Sequence, residues 1–215
     1  MTEVSFAVLD VVTEPYAVTP VLTARIGIEA DADEPVHAIA LRCQVRIEPL
    51  RRGYTDDEAA GLLDLFGPRE RWSTTQHNFL FLHSSAMVPG FTGVTQVDLP
   101  LECTYDFEVT ASKYFHALRD GAIPLQFLFS GTIFAKGSNN FAVHQVPWDR
   151  EDHYDLPVSV WRDLLQQHYP NTGWVRLSHD TLDALAAYKS ARGMLGFDDA
   201  VTSLLAAAQT TEDAR

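Results

Sequence analysis

Cysteine is scarce: Cys43 and Cys103 are the two thiols of a 215-residue chain, and no CxxC pair occurs. Two residues cannot build a disulfide framework. Each lies in an apolar strand-like stretch, where a reduced, buried thiol acts as a small hydrophobe. The chain also lacks an apolar run of about 18 residues, which excludes a membrane-spanning helix. Its opening, "MTEVSFAVLDVV", has an acid at position 3 and neither a basic stretch nor a cleavage signal. It reads as the first strand of a cytoplasmic protein. Positive charge is thin: 16 Lys and Arg stand against 29 Asp and Glu, a formal charge of −13. That balance argues against nucleic acid and anionic membranes as partners. Familiar catalytic signatures are missing too. There is no HExxH, no P-loop and no GxGxxG, and "FSGT" around Ser130 lacks the first glycine of a GxSxG elbow. Ser130 and Gly131 are expected to mark a strand bend or bulge. No cofactor has support in the sequence.

What the chain does have is alternation. Apolar residues make up 46% and charged residues 21%, ordinary globular usage for a chain long enough to bury its own core. In 21–30, Leu22, Ala24, Ile26 and Ile28 share one face, opposite Thr23, Arg25, Gly27 and Glu29. In 36–49, His37, Ile39, Leu41, Cys43, Val45 and Ile47 oppose Arg42, Gln44, Arg46 and Glu48. This period of two predicts strands with one buried and one wet face, and the acidic turn between them predicts an antiparallel hairpin. Thr55 and Glu58 have capping-box spacing, predicting a helix over 56–66 that stops at Gly67. An apolar run follows at 79–83, alternation returns at 94–111, and helical turns are expected at 111–120. Residues 123–134 and 141–147 flank a turn and should pair as a second hairpin.

After Pro157 the period changes. Val160, Trp161, Leu164, Leu165 and His168 form a helical stripe, Asp180 is placed to cap a second helix, and a third spans about 198–209. The expected fold is α+β. An antiparallel β-sandwich over 1–156 carries the short helices, and a helical segment over 157–215 packs on its sheet as part of the same unit.

The stretches "VHAIALRCQVRIEPLRR", "VPGFTGVTQVDLPLECTYDFEV", "YFHALRDGAIPLQFLFSGTIF", "VPWDRE" and "LPVSVWRDLL…YPNTGWVRL" resemble an uncharacterised bacterial family, chiefly actinobacterial. That family is associated with gene neighbourhoods of uptake nickel–iron hydrogenases. The resemblance covers about residues 4 to 205 and brings no catalytic residues with it. It implies an accessory part in hydrogenase expression, assembly or electron delivery.

Two constellations carry chemistry. The stretch 141–161, "FAVHQVPWDREDHYDLPVSVW", gathers His144, Asp149, Glu151 and His153, the side-chain types of a metal site. Asp149, Glu151 and His153 point one way if the segment is extended, yet their spacing matches no known motif. The simpler reading is a solvated connection whose acids favour the dipole of the following helix. The other constellation is basic. Arg25, Arg42, Arg46, Arg51 and Arg52, with Arg69 and Arg71 after them, supply seven of the 16 basic residues. Local acids outnumber them, so the plainer reading is a mixed solvated surface with cross-strand ion pairs. The functional reading is a guanidinium-bearing sheet face that docks an acidic protein partner, because arginine's planar fork is weakly hydrated and matches carboxylates. Trp148 and Trp174 follow Pro147 and Gly173 and are expected to pin the helices to the sheet, with an interface contact as the alternative.

The expected function is thus a soluble, non-catalytic accessory protein that binds another protein, with a hydrogenase subunit or assembly factor as the implied partner. The alternatives are a metal-dependent enzyme or metal carrier using the 144–153 cluster, and a small-ligand-binding sandwich. Self-association stays open.

Overall fold

The computed structural model describes residues 3–31, 35–103, 109–136, 142–172 and 177–212. Alternation in β2 (Val21–Ala30) is realised as read: Leu22, Ala24, Ile26 and Ile28 are buried, and Arg25 and Glu29 are exposed. This strand is the centre of a three-stranded antiparallel sheet between β1 (Val4–Thr13) and β5 (Val94–Glu102). A bulge between Val8 and Asp10 shifts the phase of β1, so Val4 and Phe6 face inward before it and Val11 after it.

The second sheet is built on β3 (Val36–Ile47) and β6 (Ala122–Ala135), which pair antiparallel. The far side of β3 takes β4 (Phe79–Phe91). The far side of β6 is divided: residues 132–135 pair with β7 (Ala142–Gln145), and residues 122–128 pair with β8 (Glu151–Pro157). The inner faces of the two sheets meet, with Phe6 stacked on Phe129 at 4.8 Å between ring centroids. Side chains close the seams. Asp152 accepts the Val8 N–H at 2.7 Å, Arg150 donates to the Val4 carbonyl, and Ser84 donates to the Pro100 carbonyl. The result is an α+β protein dominated by an antiparallel sandwich, with helices at its C-terminal end.

Three expectations about the strands need correction. β2 and β3 form no hairpin, because β2 pairs with β1 and β5 while β3 pairs with β4 and β6. Period-2 alternation fixes which face is buried but not which strand lies alongside. At the start of β3 the register slips between Val36 and Ala38, so Val36 is buried and His37, expected inside, is exposed. Residues 151–157, expected as a solvated connection, form β8. Its inward side chains include Asp152 and Tyr154, whose polar groups are satisfied by the Val8 N–H and by Asp10, so the strand reads as polar on both faces up to Asp155. The expected pairing of 123–134 with 141–147 is present as β6 and β7.

The capping box forms as expected: Thr55 Oγ1 accepts the Glu58 N–H and Glu58 Oε2 accepts the Thr55 N–H. The helix it starts, α1 (Asp56–Gly61), breaks at Leu62 and resumes as α2 (Leu63–Phe66). Then come α3 (Trp72–Thr75) and α4 (Val109–Ala117). They bring Tyr54, Phe66, Trp72 and Tyr114 ring to ring around Phe79, where β4 begins. α5 (Val158–His168) buries Val158, Trp161 and Leu164.

The chain divides into two compact units, Met1–Asn171 and Thr172–Arg215. The second is a helical hairpin of α6 (His179–Ala191) and α7 (Phe197–Glu212). Ser178 rather than Asp180 caps α6, accepting the Thr181 N–H. Tyr188 and Ser203 join the helices through their hydroxyls at 3.0 Å, and the Arg192 guanidinium lies 3.8 Å from the Tyr188 ring centroid.

Candidate functional site

The five candidate arginines do not share one surface. Arg25 lies on the outer face of the three-stranded sheet, opposite Asp98 in register and 3.5 Å from its carboxylate. Both partners are exposed, so the pair contributes at most about 1 kcal/mol. Arg52 is turned inward, its side chain only 11% exposed, and joins Glu58 at 2.9 Å to the carbonyls of Asp120 and Ala122. Arg51, in the turn after β3, pairs with Glu48 at 2.9 Å and with Asp155 at 3.7 Å. Arg46 points outward from β3 and donates to the Asn78 carbonyl. Arg42, also outward on β3, is exposed and makes no ion pair or hydrogen bond among the described residues. The structure therefore gathers Arg42, Arg46 and Arg51 on the outer side of the five-stranded sheet, and of these Arg42 is the one without a partner among the described residues.

Register explains what surrounds it. Arg42 stands opposite Ser85 on β4 and Ser130 on β6, and Gln44 stands opposite His83 and Leu128. Directly opposed side chains on one face have Cβ atoms about 5 Å apart. A hydroxyl, a guanidinium and a second hydroxyl thus form a row across three strands. The row lies in an open recess of about 560 Å³ bounded by Arg42, Gln44, His83, Ser85, Ser130 and, on β5, Glu102.

Beside Ser130, Gly131 has φ +143°, and a Cβ there would fall 2.2 Å from the Ala40 carbonyl oxygen. Only glycine allows β6 to approach β3 this closely. The register of β6 with β3 runs unbroken through this point. The bend or bulge expected at Ser130 is instead a change of neighbour on the other flank: pairing with β8 stops at Leu128 and pairing with β7 starts at Thr132. Between them the turn 147–150 is anchored by the Val146 N–H on the Gly131 carbonyl and the Phe129 N–H on the Arg150 carbonyl. Trp148 sits on this turn and is 95% exposed. It pins no helix; the anchored turn projects it into solvent. Trp174 lies outside the described residues.

The metal quartet is dispersed. His144 is opposite the buried Ile133, whereas His153 is opposite the outward Gln126, so the two imidazoles leave opposite faces of the sheet. Asp149 pairs with Arg150, Glu151 accepts a hydrogen bond from Gln126, and His153 lies 3.4 Å from Glu48. Among the described residues no three His, Cys, Asp or Glu side chains converge as a metal would require. Burial pushes both thiols, Cys43 and Cys103, up to about 12, which keeps them protonated and poor nucleophiles.

Sequence reasoning missed His83, Ser85 and Ser130 as neighbours of Arg42. The signal for β4 was present, since His83, Ser85 and Met87 alternate with the half-buried Ser84, half-buried Ala86 and buried Val88. Serine and glycine after the apolar run at 79–83 disguised it as a turn.

No curated protein sequence matches the chain. Among solved structures, a putative late embryogenesis abundant protein is similar at 13% identity and a TM-score of 0.34, covering 73% of this chain and 72% of that one. A β-glucosidase from Kluyveromyces marxianus is similar at 10% identity and a TM-score of 0.28, covering 72% of this chain and 15% of that one. Likenesses this distant carry neither protein's named role across. The full-length correspondence is with a family: residues 1–213 match the family of unknown function DUF6084, and the chain belongs to it.

Proposed function

We propose that this protein is a non-catalytic accessory factor that recognises another protein through the outer face of its five-stranded sheet. The observation carrying this reading is Arg42: an exposed guanidinium with no partner among the described residues, on a rigid strand in a chain of net charge −13. Left in water it contributes nothing to the fold, whereas against a carboxylate it supplies a charge-assisted hydrogen bond. Arg46 stands four residues along the strand on the same face and donates to the Asn78 carbonyl. None of the helices among the described residues is long and apolar enough to cross a membrane. The resemblance to a hydrogenase-associated family directs the partner to a hydrogenase subunit or assembly factor.

The test is affinity purification from native cells with mass spectrometry, comparing the wild type with an Arg42→Glu/Arg46→Glu variant. The variant should keep its circular dichroism spectrum and lose a hydrogenase subunit that the wild type recovers. Equal recovery by both proteins refutes the docking face.

A further inference from the structure

We infer that the Ser85–Arg42–Ser130 row is a carboxylate-binding site, taking one acidic side chain of the partner protein in the recess that Glu102 borders. This rests on the docking reading and names its chemistry. Ser85 and Ser130 flank the guanidinium in direct cross-strand register, one on either side. Like Arg42, neither side chain is bonded to another described residue. A carboxylate set over Arg42 accepts two parallel N–H bonds from the fork, while a hydroxyl from β4 or β6 donates to a remaining lone pair. The two serines bracket the site at about 5 Å on each side, a span suited to a single planar anion.

The frame is stiff. β3 is paired along both edges, and Gly131 locks β6 against it at the row, so the donors are set before a ligand arrives. Glu102 decides the charge of the ligand. A dianion entering the recess faces this carboxylate and the net charge of the chain. A singly charged side chain faces less repulsion and places its own backbone N–H groups where Glu102 and Gln44 can accept them. The occupant is therefore a glutamate or aspartate on a protein segment rather than a phosphate group.

The experiment is a two-dimensional 15N NMR titration of the full chain with three probes: the blocked peptide acetyl-Gly-Glu-Gly-amide, its Gln counterpart, and inorganic phosphate. The Glu peptide should shift the amides of Arg42, Ser85 and Ser130 saturably, with the Gln peptide and phosphate each at least about tenfold weaker, the penalty for losing a charge-assisted pair or adding like-charge repulsion. Arg42→Gln should abolish the response with the remaining spectrum unchanged. Arg42→Lys should retain only part of it, because an ammonium lacks the fork. Equal responses to the Glu and Gln peptides, a phosphate response as strong as the Glu response, or shifts clustered instead around Arg51 each overturn the inference. The two readings fail separately. Partner loss in the double Glu variant with no peptide response removes the carboxylate site alone, whereas a normal peptide response with undiminished partner recovery removes the docking reading on which it rests.

Discussion

Glu58 shows how one buried acid can hold several elements. Only 2% exposed, it accepts the Thr55 N–H that starts α1, the Arg119 N–H beyond α4, and the Arg52 guanidinium that reaches the first residue of β6. Burial by itself raises its pKa. The backbone hydrogen bonds from Arg119 and Thr55, with the charge of Arg52, outweigh that and hold the carboxyl below its ordinary 4.5. A depressed folded value means that the stabilisation is complete above the unfolded pKa and disappears as pH falls through the folded one. Glu58→Gln should cost about 3 kcal/mol at pH 7, because it leaves the Arg52 charge buried without its counter-ion. The deficit relative to wild type should shrink as pH falls below the ordinary value of 4.5 and through the depressed folded value, where the wild-type carboxyl also protonates. Urea denaturation of both proteins at pH 7 and pH 3 measures this; a constant difference at the two values contradicts it.

Among the elements, β6 sets the site because three strands read their positions from it. Its N-terminal half pairs with β8, its C-terminal half with β7, and its other edge with β3 from Leu125 onward. Gly131 marks the changeover, and a methyl group there meets the Ala40 carbonyl oxygen at 2.2 Å in a backbone region that L-residues avoid. Gly131→Ala should destabilise the protein by about 3 kcal/mol or more, combining backbone strain with forced separation of β6 from β3. Ser130→Ala, one residue away on the exposed face, should fall within about 0.5 kcal/mol of wild type. Thermal unfolding of the two variants distinguishes them, and equal midpoints would mean that the close approach of β6 and β3 carries no cost.

The same strand shows what a sequence can convey. Faces were legible: the inward set of β2, and of β3 from Ile39 onward, follows from alternation, and the Thr55 capping box from spacing. Neighbours were not. The β2–β3 hairpin was a sound local inference that long-range pairing overrode, and β8 was hidden because its inward Asp152 is satisfied from another sheet. The candidate site was half legible for this reason. Arg42 and Arg46 could be placed on a wet face, but the serines beside Arg42 come from strands 43 and 88 residues away, a relation held only in the register.

At the scale of the molecule, the contiguous apolar core among the described residues draws on positions from Val4 to Leu164. It contains the inner faces of both sheets, the aromatic cluster around Tyr114 and the buried side of α5, all of which lie in the unit Met1–Asn171. The unit Thr172–Arg215 has a different character. α6 contains no buried residue, and Leu182, Leu204 and Leu205 are exposed. Helices of 13 and 16 residues are close to the length at which isolated helices are marginal in water. The sandwich should therefore fold without the hairpin, and the hairpin should not fold without the sandwich or another surface. A polypeptide ending at Asn171 is expected to unfold in one cooperative transition within about 5 °C of the full chain, a shift of roughly 1–2 kcal/mol for a domain of this size. A peptide spanning 172–215 is expected to show less than half the helicity of its two helices by circular dichroism. Loss of cooperative unfolding in the shorter chain would place part of the folding energy in α6 and α7, and would make the hairpin a structural requirement of the sheet that carries Arg42.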